Sequence, residues 1–173
     1  MRPTRFDHCL LYGGDIDRNL ELFTKILGFS LSERIVAGDG KTMIGSFFTC
    51  SNKPHDVAFI RHPEKGRFHH ASFYLESWHN VGEAADIIAR HNVSLDIGPT
   101  RHGITRGYTI YFFDSSGNRN EVFPGGYQYY PDSPVIEWTE GELGRAIFYY
   151  DRKLNERFLS VTTSRRVVRF QSH

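Results

Sequence analysis

Histidines carry most of the chemistry this chain could do. Nine occur among 173 residues, and imidazole is both the commonest metal ligand and the usual acid–base group near neutral pH. Two of them, His69 and His70, stand side by side in Phe68-His69-His70-Ala71-Ser72-Phe73-Tyr74-Leu75. That stretch reads as a strand, aromatic and apolar and free of Gly and Pro. Neighbours on a strand point to opposite faces, so one of the two at most is expected in a given site. An earlier stretch chooses between them. Phe6, His8 and Tyr12 align without gaps on Phe68, His70 and Tyr74, at an offset of 62 (8 to 70), with Cys9 facing Ala71 and Leu11 facing Phe73. His70 is therefore the counterpart of His8. His69 is expected to point with Ala71 and Phe73, into packing or toward a helix. If the copies are related by a pseudo-twofold axis, His8 and His70 meet across a cleft, where two neutral imidazoles suit a metal.

A third ligand is offered by Glu121, which opens the apolar run Val122-Phe123. A carboxylate buried there without a partner costs several kcal/mol in order of magnitude, and a cation would relieve it. Two histidines and one carboxylate form a facial triad with open positions, which suits oxygen-activating non-haem Fe(II) and also holds Mn(II) or Zn(II). Taken singly, each residue reads first as a hydrogen-bonded core histidine or an exposed glutamate; only the constellation points to a metal. A second gapless match, at an offset of 65, sets Phe47–Asp56 on Phe112–Glu121 and places Asp56 opposite Glu121. A one-residue bulge would place His55 there instead, as an acid–base group beside the metal. Spacing leaves both open.

The elements that must position these groups obey the repeat. After the first strand, Ile16, Leu20, Phe23 and Leu27 mark one helical face, with Asp15 or Asp17 to cap its start and Gly28 its end. After the second, Val81, Ala84, Ala85 and Ile88 do the same, with Ser77 as cap and Asn92 near the close. Asp114-Ser115-Ser116-Gly117-Asn118 is a turn between strands. Each copy reads strand, helix, three strands. One copy alone buries too little surface to be secure, so the two are expected to share a curved sheet with helices outside. This gives an α+β fold: two βαβββ modules, about 5–62 and 66–125, in a single catalytic domain over 1–163. A C-terminal extension spans about 126–163 and a basic tail 164–173. The net charge of +1 excludes an electrostatic nucleic-acid binder. The opening residues lack the apolar core of a signal peptide, and no apolar run approaches about 20 residues, so neither export nor membrane insertion is expected. Two cysteines without a CxxC pair fit a reducing, cytoplasmic setting.

The run from His102 to Glu121, with Tyr111, Asp114, Gly117 and Glu121 in order, resembles the signature of type I extradiol ring-cleaving dioxygenases. The stretches R-F-D-H-C-L, H-D-V-A-F-I-R-H-P-E-K-G-R-F-H-H, D-I-G-P-T-R-H-G and A-I-F-Y-Y-D-R-K-L-N-E-R-F resemble the catechol 2,3-dioxygenases among them, from about Arg5 to about Thr163. The resemblance implies a vicinal oxygen chelate fold, an incomplete barrel around a metal cleft. It implies Fe(II) held by His8, His70 and Glu121, with His55 as the acid–base group. His102 and Tyr111 would contact the substrate oxygens, and Ile104, Thr105 and Phe158 would line the ring pocket. The implied reaction is extradiol cleavage of catechol, or a substituted catechol, with O2 to a 2-hydroxymuconic semialdehyde. Two departures stand out. Ser115 replaces the signature proline. The family usually carries a further, N-terminal pair of modules, and this chain matches the catalytic half, as a natural one-domain enzyme or a truncated one. Surface covered by the other half would then be exposed or covered by another subunit, and a homo-oligomer is expected. Two other readings stand beside this one: a glyoxalase-like isomerase or lyase, which needs four protein ligands, and a metal-free module that binds a small molecule.

Overall fold

The computed structural model describes residues 2–64 and 66–159; the basic tail 164–173 and the last residues of the extension lie outside them. Strand β1 (Arg5–Gly13) leads into helix α1 (Ile16–Glu21) and strands β2 (Ser30–Val36), β3 (Met43–Thr49) and β4 (Val57–Arg61). The same order comes again: β5 (Arg67–Tyr74), α2 (Trp78–Arg90), β6 (Ser94–Arg101), β7 (Tyr108–Phe113) and β8 (Arg119–Phe123). Strand β9 (Ile136–Thr139) and short helices α3 (Leu143–Ile147) and α4 (Glu156–Leu159) complete the described chain. All nine strands form one sheet in the order β6-β7-β8-β5-β1-β4-β3-β2-β9. The halves join where β1 runs antiparallel to β5, and within each half the first strand pairs parallel with the last.

Local sequence explains the helices. In α2, Val81, Ala84 and Ile88 are buried against Leu75, Ile110 and Val122 of the sheet; full burial of such an aliphatic side chain contributes about 1.5–3 kcal/mol. Ser77 Oγ accepts from the Asn80 N–H at its start, and Asn92 adopts φ 50° just past its end. In α1 the cap is Asp15, which accepts from the Arg18 N–H. The helix then widens to a π turn over Leu22–Ile26, closed by Leu27 N–H donating to Leu22 O at 3.0 Å. The wider turn rotates the residues after it about the helix axis. Leu27, expected on the buried face, is consequently 52% exposed, while Phe23 still stacks on Phe48 at 5.1 Å.

The strand ladders correct one alignment. Cys9 and its repeat partner Ala71 pair with Val57 and Asn120 respectively. The next residues along, Ala58 and Glu121, are therefore equivalent, and the position opposite Glu121 belongs to Ala58 rather than Asp56. By the same ladders Phe47, opposite Ala58, matches Tyr111, opposite Glu121. The gapless match failed because it was already one residue out of register at Phe47, and the stretch from Phe47 to Ala58 is one residue longer than that from Tyr111 to Glu121. No helix among the described residues is long and apolar enough to cross a membrane.

Candidate metal centre

Three adjacent strands at the middle of the sheet, β8, β5 and β1, supply Glu121, His70 and His8. All three side chains are buried, and one ligand atom from each lies within 4.8 Å of the others. Glu121 Oε2 is 2.9 Å from His8 Nε2 and 3.3 Å from His70 Nε2, and the two Nε2 atoms are 3.3 Å apart. Glu121 Oε1 accepts from the Thr109 hydroxyl, but Oε2 has no hydrogen-bond partner. A buried carboxylate oxygen left without a donor is costly, and this one is crowded by imidazole nitrogens. A divalent cation at that point removes the cost. The donor set, two imidazoles and one carboxylate, fits a first-row metal with open positions. The repeat supplies no fourth ligand, because Ala58 stands where a second carboxylate would.

Electrostatics hold two of the three candidate ligands in the forms that coordinate. Burial would raise the Glu121 carboxyl, but His8, His102 and His70 around it hold it well below the usual carboxylate range. Burial pulls the His8 imidazole down; the Glu121 and Asp7 carboxylates outweigh it and lift the group to about 9. His70 is pushed down to about 4, chiefly by burial and despite Glu121. A neutral His70 and an anionic Glu121 are the forms that coordinate, whereas His8 must give up its proton for a cation to bind.

His69 reaches a helix as expected, through Phe158 of α4, but it does not leave the site. It lines the same cavity as His70, with Nδ1 2.6 Å from His70 Nδ1. The cause is a β-bulge: Leu10 pairs with His70 and Leu11 with Phe68, leaving His69 as the extra residue, so the simple alternation of faces breaks there. The first copy has the matching bulge. Phe6 pairs with Phe73 and His8 with Ser72, leaving Asp7 extra, and Asp7 Oδ2 lies 2.9 Å from His8 Nδ1. Asp7 was legible in principle, since it is the residue that the repeat sets opposite His69.

The remaining predicted residues line a cavity of about 300 Å³. His55 packs its ring 4.1 Å from that of His8, and its buried Nδ1 has no partner. Burial, with His8 nearby, holds it well below the ordinary histidine value. Asp56 is used elsewhere: its carboxylate accepts from the Cys50 N–H, the Ser51 hydroxyl and Lys53 Nζ. Tyr111 Oη donates to His102 Nε2 at 2.8 Å, and His102 Nδ1 in turn donates to the Ile147 carbonyl of α3. Burial and the Glu121 charge hold the Tyr111 phenol well above 10, in its protonated form. Ile104, Thr105 and Phe158 complete the lining, with the Phe158 ring 4.8 Å from that of Tyr111. The loop carrying Ile104 and Thr105 depends on a residue the sequence did not single out. Glu33, buried on β2, accepts from the Thr105 N–H and from Trp138 Nε1, both at 2.7 Å. Thr105 and Arg106 have φ of 58° and 59°, a conformation that needs such support in non-glycine residues.

Residues 5–122 match the Glyoxalase/Bleomycin resistance protein/Dioxygenase superfamily. The chain belongs to this superfamily. Its sheet of two βαβββ units is the superfamily's vicinal oxygen chelate fold. Among the superfamily's curated proteins, the chain is 58% identical over 163 residues to a metapyrocatechase of Pseudomonas sp. (strain CF600), covering 94% of this chain and 53% of the relative. It is 31% identical over 153 residues to a manganese-dependent 2,3-dihydroxybiphenyl 1,2-dioxygenase of Geobacillus genomosp. 3, covering 86% and 48%. The crystal structure of a 2,3-dioxygenase, LapB from Pseudomonas sp. KL28, superposes with a TM-score of 0.77 at 53% identity, covering 79% of this chain and 48% of that one. The chain thus spans about half the length of the curated relatives it matches.

Proposed function

We propose that this chain binds Fe(II) through His8, His70 and Glu121 and cleaves the ring of catechol, or a substituted catechol, beside its two hydroxyls. Both atoms of O2 end in the product, a 2-hydroxymuconic semialdehyde. The observation that carries this reading is the buried convergence of two Nε2 atoms on the unpartnered Glu121 Oε2, with Ala58 at the position of a fourth ligand. It argues against the glyoxalase-like reading, which needs that ligand. The likeness to metapyrocatechase supports catechol as substrate. The manganese-dependent relative leaves the choice of metal to direct assay.

When bound, the metal would lower the pKa of the diol oxygens and pass electron density between ring and dioxygen. The chain's own groups do the rest. Phe158, Ile104 and Thr105 hold the apolar ring against one wall. Tyr111, kept protonated, turns its hydroxyl from His102 toward the ionised diol oxygen, and the freed His102 Nε2 accepts from the substrate's other hydroxyl. His55, buried and neutral, accepts a proton from the substrate and returns it as the dioxygen bond breaks. The buried, largely apolar cavity keeps bulk water from these transfers.

The test is anaerobic Fe(II) loading, then catechol and air, with oxygen uptake and the yellow product monitored together. One O2 consumed per catechol is expected. Bound iron without oxygen uptake would overturn ring cleavage. Failure to bind Fe(II), Mn(II) or Zn(II) would favour the metal-free binding module. A homo-oligomer belongs to the same reading: Phe6 and Phe68, repeat partners on neighbouring strands, are 54% and 44% exposed, and sedimentation of the same sample tests it.

A further inference from the structure

His69 is not one of the candidate ligands, yet it is buried beside them and makes two short contacts. Its Nε2 lies 2.6 Å from the main-chain oxygen of Phe158 in α4, and its Nδ1 lies 2.6 Å from His70 Nδ1. The proton positions are set by donor rules. A carbonyl oxygen only accepts, so His69 Nε2 carries the proton. Nδ1 of that tautomer is then a lone pair, which accepts from His70 Nδ1–H. His70 Nε2 is left without a proton, and it is this atom that faces Glu121 Oε2 at 3.3 Å. The equivalent contact in the first copy is simpler. Asp7, an acceptor only when ionised, takes the proton of His8 Nδ1 directly at 2.9 Å.

We infer that His69 is a positioning residue that relays the polarity of the Phe158 carbonyl to His70, so that docking of α4 selects the tautomer of His70 able to coordinate. This rests on the proposed metal site. The same short helix turns the Phe158 ring into the cavity, and it is tied down by Tyr12 Oη donating to the Leu159 carbonyl at 2.8 Å and by Arg157 at 2.8 Å from Asp96. One element therefore shapes the ring pocket and prepares a ligand. In the first copy the ligand is prepared from within its own strand.

Nitrogen-15 NMR of the metal-stripped chain at pH 7.5 reads the relay directly. The expected result is His69 protonated on Nε2, His70 protonated on Nδ1, and a scalar coupling across the Nδ1–H···Nδ1 bond. His70 protonated on Nε2 would overturn the inference. Mn(II) affinity, measured by the electron paramagnetic resonance of free ion, supplies a second readout. His69→Phe keeps the ring but removes both nitrogens; Mn(II) should bind about 10–100-fold more weakly, with His70 shifting toward Nε2–H. His69→Gln, whose amide can donate to Phe158 and accept from His70, should recover most of the loss. Unchanged affinity and tautomer in His69→Phe would overturn the inference. If the parent chain bound no Mn(II), the metal reading would fail, while the NMR result would still decide the relay.

Discussion

At the scale of single residues, the site divides labour between groups that must lose a proton and groups that must keep one. Glu121 is held anionic by the histidines around it, and Tyr111 is held protonated by burial and by Glu121. His70→Ala should lose metal and activity together, checked by metal analysis and oxygen uptake on one sample; retained iron with full activity would refute its assignment. His55 touches His8 without being placed to coordinate, and its Nδ1 is unpartnered. His55→Gln should therefore keep metal and bind catechol but turn over roughly 10²–10⁴-fold more slowly, the usual worth of a positioned acid–base group. Turnover equal to the parent would remove that role.

At the scale of elements, the loop carrying Ile104 and Thr105 is held from two sides. The N–H groups of Gly103 and Ile104 both donate to the Ala146 carbonyl of α3 at 2.9 Å, and Glu33 on β2 accepts from Thr105. Burial raises the Glu33 carboxyl above its ordinary value, although Trp138 and Thr105 pull it down. Removing the carboxylate leaves two donors without their acceptor in the interior. Glu33→Ala should lower stability by about 1–3 kcal/mol, read by urea unfolding. It should also weaken catechol binding more than Mn(II) binding, because the loop lines the ring pocket and supplies no ligand. Equal losses in both would mean that the residue acts on the whole fold.

At the scale of the molecule, the duplicated halves are unequal in chemistry. The second copy contributes Glu121 and Tyr111 where the first has Ala58 and Phe47, so the first half adds His8 and His55 to the cavity but no carboxylate and no phenol at the repeat positions. The histidines couple this centre to the stability of the metal-free chain. His8, raised to about 9, contributes stability that is fully present below the unfolded value of about 6.5 and lost as pH rises through 9. His70, lowered to about 4, acts in the opposite sense, since below about 6.5 the unfolded chain takes up a proton the folded chain refuses. The metal-free chain should be most stable near pH 6.5 and weaker at both 4.5 and 9, measured by urea midpoints. A midpoint that rose or fell steadily across that range would contradict the assigned environments.

The repeat, the βαβββ order and the pairing of His8 with His70 were all legible in the order of residues, because helix and strand periodicity and gapless similarity are local properties. What strand neighbours decide was not. Alternation placed His69 away from the site, but a bulge exists only between two paired strands, and it turned both His69 and Asp7 onto the ligands. Gapless alignment set Asp56 opposite Glu121 and a bulge would have set His55 there, but strand register and loop length together put Ala58 in that place. Glu33 and the Phe158 carbonyl act across separations of 72 and 89 residues. No spacing rule reaches that far; only the closing of the sheet and the docking of α4 bring those donors and acceptors together.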